Sequence, residues 1–152
     1  MSRTVRHYDS NAARFVEDTL HVDMSALHAR FLAHIPVGGL ILDAGCGSGR
    51  DSKAFLEAGF RVRAFDGSAE LARLAAEYLG QPVDVKRFDE IVECSRYDGI
   101  WACASLLHVG EEELPATLAR MWASLKPGGV FYLSFKHGEV ERTDGERHFT
   151  DA

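Results

Sequence analysis

No stretch of this 152-residue chain approaches the roughly 20 apolar residues of a membrane-spanning helix, and its start, Met1-Ser2-Arg3-Thr4-Val5-Arg6-His7, lacks the apolar core of a signal peptide. A cytoplasmic protein with no membrane partner is the expectation. A basic excess is also missing: 17 Lys and Arg against 23 Asp and Glu give a formal charge of −6, so no nucleic-acid partner is expected. The cysteines are few, Cys46, Cys94 and Cys103, odd in number and without a CxxC pair. That argues against a disulfide framework or a zinc ribbon, leaves no metal site to propose, and suggests reduced thiols packed as small hydrophobes. Internal repeats, low-complexity tracts and Pro-rich or Ser-rich linkers are absent too. What remains is a single domain over 1–152, 46% hydrophobic and 26% charged. A chain of this length buries roughly 70% of its unfolded surface without staples.

What the chain does have is an alternation of helix and strand signals. Residues 10–20 and 24–35 read as helices, the second with Met24, Leu27, Phe31, Leu32 and Ile35 on one face, closed by Pro36-Val37-Gly38-Gly39. Leu40-Ile41-Leu42 is a short apolar strand that runs into a glycine cluster. A helix from about Asp51 stops at Gly59, and Val62-Arg63-Ala64-Phe65 makes a second strand. Ser68 is placed to cap a helix whose Leu71, Leu74, Ala75, Tyr78 and Leu79 form one stripe. Val83–Phe88 reads as a third strand and Gly99–Ala104 as a fourth. A helix with Pro115 in its first turn then carries Leu118, Met121, Trp122 and Leu125, and the turn Lys126-Pro127-Gly128-Gly129 leads into a fifth strand, Val130–Phe135. Five such alternations call for right-handed crossovers and a doubly wound α/β fold with a mainly parallel sheet. Residues 1–36 form N-terminal helices and 37–152 the sheet core.

In such a sheet the ligand lies at the carboxyl ends of the strands, and the loop after the first strand is the usual contact. That loop is Asp43-Ala44-Gly45-Cys46-Gly47-Ser48-Gly49-Arg50. Alternate glycines let a ligand touch backbone, and the following helix N-terminus offers N–H donors. A nicotinamide or flavin fingerprint needs a glycine at the sixth position from Gly45, where Arg50 stands. Asp66 closes the second strand about 20 residues on, where a carboxylate can accept both ribose hydroxyls. Taken singly, the glycine cluster is also explained as a tight turn, and Asp66 as a helix cap or solvated charge.

At these residues the chain resembles the class I S-adenosylmethionine-dependent methyltransferases. Asp43-x-Gly45-x-Gly47-x-Gly49 is similar to their first motif, Phe65-Asp66-Gly67-Ser68 to their ribose-binding turn, and Leu125-Lys126-Pro127-Gly128-Gly129 to the turn before their fifth strand. Phe88-Asp89-Glu90 falls where the family places an acid near the adenine amino group. The resemblance implies a Rossmann-like sheet of order 3-2-1-4-5, with S-adenosylmethionine held by Tyr8, Asp43, Gly45, Cys46, Gly47, Gly49, Arg50, Asp66, Gly67, Ser68, Phe88, Asp89, Ala104 and Ser105. S-adenosylhomocysteine would be the product. Tyr8-Asp9-x-Asn11-Ala12, Gly49-Arg50-Asp51-Ser52 and Ser134-Phe135-Lys136-x-Gly138-Glu139 look like the tellurite-resistance-related small-molecule branch, in which Tyr8 would belong to a lid.

The implied reaction is methyl transfer to a small-molecule acceptor. A soft nucleophile, such as a thiol, selenium or tellurium species, brings its own electron pair, whereas a hydroxyl needs a base. His108, just after the fourth strand, is the candidate base, with backbone packing as its other reading, and His137 is a weaker candidate. The Asn/Asp-Pro-Pro-aromatic motif of amine-directed members is missing. The family's sheet has two further strands as a C-terminal hairpin, and Arg147–Ala152 reads as the lead-in to a helix, so a truncated chain is the expectation. The fifth strand would then be an exposed edge open to homodimerisation. A domain that binds the cofactor, or serves as an interaction module, without turnover is the alternative.

Overall fold

A computed structural model of the chain describes residues 23–106 and 109–134. In chain order it contains α1 (Ser25–Leu32), β1 (Leu40–Ala44), α2 (Arg50–Glu57), β2 (Arg61–Asp66), α3 (Ala69–Leu79) and β3 (Asp84–Val85). A 3-10 turn, Phe88–Glu90, then precedes β4 (Tyr97–Cys103), α4 (Leu114–Ser124) and β5 (Leu125–Ser134). The strands form one sheet in the order β3-β2-β1-β4-β5, with every pairing parallel. The order reverses between β1 and β4, which sets the switch point beside the glycine loop.

Helices on both faces explain why β1 has no polar alternation: Ile41, Leu42, Asp43 and Ala44 are all buried. Leu42, Ala44, Phe65, Ile100 and Ala102 pack toward Met121 of α4 and Leu125. Ile41, Val62, Trp101 and Tyr132 pack on the opposite face with Phe31 of α1 and Phe55 of α2. The helix stops are local. Ser68 Oγ accepts the Leu71 N–H at 3.1 Å to start α3, and Gly80 ends it in the left-handed conformation.

Three elements depart from the sequence reading. The third strand is cut to Asp84–Val85, because among the described residues β3 has β2 as its one neighbour and Phe88 turns away to meet Phe65 edge-on, ring centroids 5.3 Å apart. Trp122 is not in the core of α4 but 65% exposed. It flanks β5 instead, its ring 6.4 Å from Phe131. Lys126–Gly129 does not precede the fifth strand but lies within its span, where the register jumps from Tyr97 opposite Leu125 to Gly99 opposite Val130. The predicted helix 10–20, Phe135 and the C-terminal tail lie outside the described residues. Among those described, β5 has no strand on its outer edge, and a groove of about 830 Å³ runs there between Leu118, Trp122, Phe131 and Leu133.

Candidate functional site

The loop leaving β1 folds back onto β2. Gly45, Gly47 and Gly49 take φ values of 74°, 55° and 89°, and the N–H groups of Gly45 and Cys46 both donate to the Phe65 carbonyl at 3.0 and 2.9 Å. A Cβ added at Gly45 would lie 2.6 Å from Ser105 Cβ and 3.3 Å from Phe88 Cζ. Glycine is therefore required where the first loop passes the end of β4. The Ser105 hydroxyl closes that contact by donating to the Ala44 carbonyl at 2.8 Å.

Asp66 ends β2 with its two carboxylate oxygens aimed by backbone. Gly47 N–H donates to Oδ2 at 2.8 Å and Ser68 N–H to Oδ1 at 3.0 Å, with half-buried Gly67 between. This backbone anchoring fixes the direction of the carboxylate at the end of β2. Phe88 sits half-buried on the adjoining side of the loop. Asp89 does not turn toward it: its carboxylate is exposed and accepts from Arg87 Nε at 3.1 Å.

Behind the loop lies a buried polar knot. Asp43 is under the loop rather than in it, and its Oδ2 accepts from Ser52 Oγ at 2.6 Å, joining β1 to the first turn of α2. Burial, reinforced by the nearby Asp51 charge, raises the Asp43 carboxyl to about 8. Asp51 goes the other way. Burial alone would raise it, but hydrogen bonds from His28 Nε2 at 2.6 Å, the Arg50 fork at 3.0 and 2.9 Å and Trp101 Nε1 at 2.9 Å outweigh this and hold it below the usual carboxylate range. Arg50 Nη2 also reaches Cys103 Sγ at 3.8 Å, at the end of β4. Burial pushes the Cys46 and Cys103 thiols up, so neither is a ready nucleophile.

Ala104 follows in the left-handed region, φ 54°, its N–H donating to the Ser134 carbonyl and hydroxyl, both at 3.0 Å. The structure thus brings together Gly45, Cys46, Gly47, Gly49, Arg50, Asp66, Gly67, Ser68, Phe88, Ala104 and Ser105 at the carboxyl ends of the strands. It places Asp43 one layer below and leaves Asp89 on the surface. Tyr8, His108 and His137 lie outside the described residues. Among those described, no group of His, Cys, Asp and Glu is arranged to hold a metal ion, and no helix is long and apolar enough to cross a membrane. Sequence reasoning passed over Asp51, whose partners His28 and Trp101 are 23 and 50 positions away.

Residues 41–129 match the family described as "Methyltransferase domain". The chain is 32% identical to the malonyl-[acyl-carrier protein] O-methyltransferase of Serratia marcescens, covering 97% of this chain and 58% of that protein. It is 34% identical to the S-adenosyl-L-methionine-dependent Diels-Alderase iccD of Talaromyces variabilis, over 71% of this chain and 38% of the other. A similar solved structure is the Burkholderia thailandensis 1,6-didemethyltoxoflavin-N1-methyltransferase bound to 1,6-didemethyltoxoflavin and S-adenosylhomocysteine. It has a TM-score of 0.71 and 31% identity, over 93% of this chain and 63% of that one. The chain therefore spans less than two thirds of each of these relatives.

Proposed function

The chain belongs to the methyltransferase domain family, and from that premise we propose that it transfers a methyl group from S-adenosylmethionine to a small-molecule acceptor. The observation that supports this reading is the junction of Gly47 N–H with Asp66 Oδ2, which holds the carboxylate at the end of β2 against a glycine loop with no room for a Cβ at Gly45. Asp66 would take the ribose hydroxyls, with Gly67 and Ser68 fixing its turn. Phe88 would flank the adenine, and Gly45–Gly47 would let the amino-acid end pass over backbone to Ala104 and Ser105. The bound sulfonium supplies an electrophilic methyl group.

The chain's own contribution is then to bind, orient and exclude water, because in-line displacement at a sulfonium is accelerated mainly by holding the nucleophile against it. An acceptor hydroxyl would add the need for a base, for which His108 is proposed, and Tyr8 is proposed as a lid residue. A soft acceptor, as the tellurite-resistance-like run Gly49-Arg50-Asp51-Ser52 suggests, would need none. Two of the similar proteins named above act, by their names, on an oxygen and on a nitrogen, and both chemistries remain in the reading. The expected acceptors are small molecules rather than nucleic acids. Self-association along the outer edge of β5 is part of the proposal, since a strand with no partner on that edge among the described residues, beside an apolar groove, is a template for a second copy. A monomer by light scattering at high concentration would remove that part.

The test is calorimetric titration of the chain with S-adenosylhomocysteine, with NADH as control. Binding of the first alone is expected. Absence of binding in a folded sample, or binding of NADH, overturns the reading. A second reading has a specific support: the relative at 34% identity is named for a cycloaddition rather than a methyl transfer. A chain that binds S-adenosylhomocysteine yet passes no labelled methyl group to any acceptor in a small-molecule panel would favour that non-transferring alternative.

A further inference from the structure

α1 lies ahead of residues 41–129, which match the family, yet it sends a buried polar side chain in behind the β1 loop. His28, Phe31 and Ile35 are the buried stripe of this segment. His28 thus takes a core position that an aliphatic residue would fill with no polar group to desolvate. Its ring packs against Phe55 and Trp101, centroids 5.0 and 5.2 Å apart, and its Nε2 meets Asp51 Oδ1 at 2.6 Å. An ionised carboxylate can only accept, so Nε2 carries the hydrogen and donates it.

Asp51 passes this constraint to Arg50. The fork between them joins adjacent residues at the start of α2, and by itself it sets no direction. The carboxylate can turn about its own side-chain bonds and carry the guanidinium with it. Two outside donors stop that turn, one on each oxygen. Trp101 Nε1 holds Oδ2 at 2.9 Å, from a fully buried ring stacked on Tyr132. His28 holds Oδ1. Burial opposes the charge on Asp51, and the hydrogen bond from His28 is the largest of the contributions that maintain it. With both oxygens clamped, Arg50 is held toward the carboxyl end of β4, its Nη2 3.8 Å from Cys103 Sγ.

We infer that His28 is a positioning residue, which acts through Asp51 to fix the direction of Arg50 at the ligand site. The inference deepens the function proposed above and rests on its placement of the cofactor against the β1 loop. A helix docked by Phe31 and Ile35 alone would cover the sheet as well, and would leave Arg50 free to follow its carboxylate. The direction of a side chain in the glycine-loop unit is therefore set from outside that unit, by α1.

Four variants separate positioning from packing. His28→Leu keeps apolar bulk and removes the donor, His28→Gln returns an amide nitrogen to the place of Nε2, Arg50→Gln removes the guanidinium, and the fourth combines His28→Leu with Arg50→Gln. S-adenosylhomocysteine is titrated calorimetrically into each, the stoichiometry giving the folded fraction. Affinity should fall about tenfold in His28→Leu, return to within about twofold of the parent in His28→Gln, and fall no further when His28→Leu is added to Arg50→Gln. Unchanged affinity in His28→Leu, no recovery in His28→Gln, or the same loss with and without Arg50 overturns the inference and leaves His28 a packing residue. Should His28→Leu not fold, His28→Asn, whose amide stands where Nδ1 stands and falls short of Asp51, takes its place under the same outcomes. If the parent binds no S-adenosylhomocysteine, the function proposed above fails on its own. Exchange of the Arg50 Nε–H with water, followed by nitrogen NMR, then decides this inference: faster exchange in His28→Leu that His28→Gln restores sustains it, and any other pattern overturns it.

Discussion

The two faces of the sheet are built from different materials. Toward α4, the packing is mainly apolar, with Leu42, Ala44, Ile100, Ala102, Met121 and Leu125 buried together and the uncharged Thr117 and Ser124 as the buried polar residues of α4. Toward α1 and α2, an aromatic layer of Phe31, Phe55, Trp101 and Tyr132 surrounds a knot of Asp43, Ser52, Asp51, His28 and Arg50. The first face needs only volume and patterning and tolerates repacking. On the second, every buried charge must keep its partner, which is costly for stability but gives fixed directions to Arg50 and to the loop above it. The contrast is between a face of directed polar contacts under the β1 loop and a face of mainly apolar packing.

Breaking the polar face should have the largest effect. Asp51→Ala leaves the His28 ring, the Arg50 fork and the Trp101 N–H without their common acceptor, and about 3–5 kcal/mol of stability should be lost, read as a lower midpoint in urea unfolding. On the apolar face, Met121→Ala should cost about 2–5 kcal/mol by opening a cavity, with S-adenosylhomocysteine affinity unchanged in the folded fraction. The two variants sharpen the comparison because similar instability should come with different binding behaviour. Asp66→Ala should weaken S-adenosylhomocysteine by about 2–4 kcal/mol through lost charged hydrogen bonds, measured calorimetrically.

The paired acids predict opposite responses to pH. Asp43, raised to about 8, keeps its proton in the folded chain after the unfolded chain has lost it near pH 4. Its contribution is therefore fully present below about pH 4 and is lost as pH rises through about 8. Asp51, lowered in the fold, contributes above the ordinary carboxylate range and loses that contribution as pH falls through its folded value. Asp43→Asn should flatten the decline of stability between pH 4 and 8 in a series of denaturation curves; an unaltered slope would mean that Asp43 is ionised in the fold. The smallest effect is expected at Trp122, 65% exposed: Trp122→Ser should change stability by about 0.5 kcal/mol or less.

How much of this was legible in the sequence follows from the range of the interactions. The β1 loop and the Ser68 cap depend on short runs, Gly45 to Gly49 and Phe65 to Ser68, and were read correctly, while the strand order, also correct, followed from the family resemblance that those runs carry. Trp122 was misread because its place in an i, i+4 stripe with Leu118 says nothing about where α4 ends its contact with β5. Val83–Phe88 alternates well enough for a strand, yet an edge position and the pull of Phe65 on Phe88 leave only Asp84–Val85 paired. Asp51 was passed over for a different reason. Its significance lies in partners that the fold brings to it from α1 and β4.

The central claim, that ligand recognition resides at the glycine loop and not in the scaffold, is tested most directly by measuring S-adenosylhomocysteine affinity for Asp66→Ala and Met121→Ala side by side. The account predicts a loss of about thirtyfold or more for Asp66→Ala and less than about twofold for Met121→Ala. Equal losses, or none in Asp66→Ala while the parent binds, would contradict it.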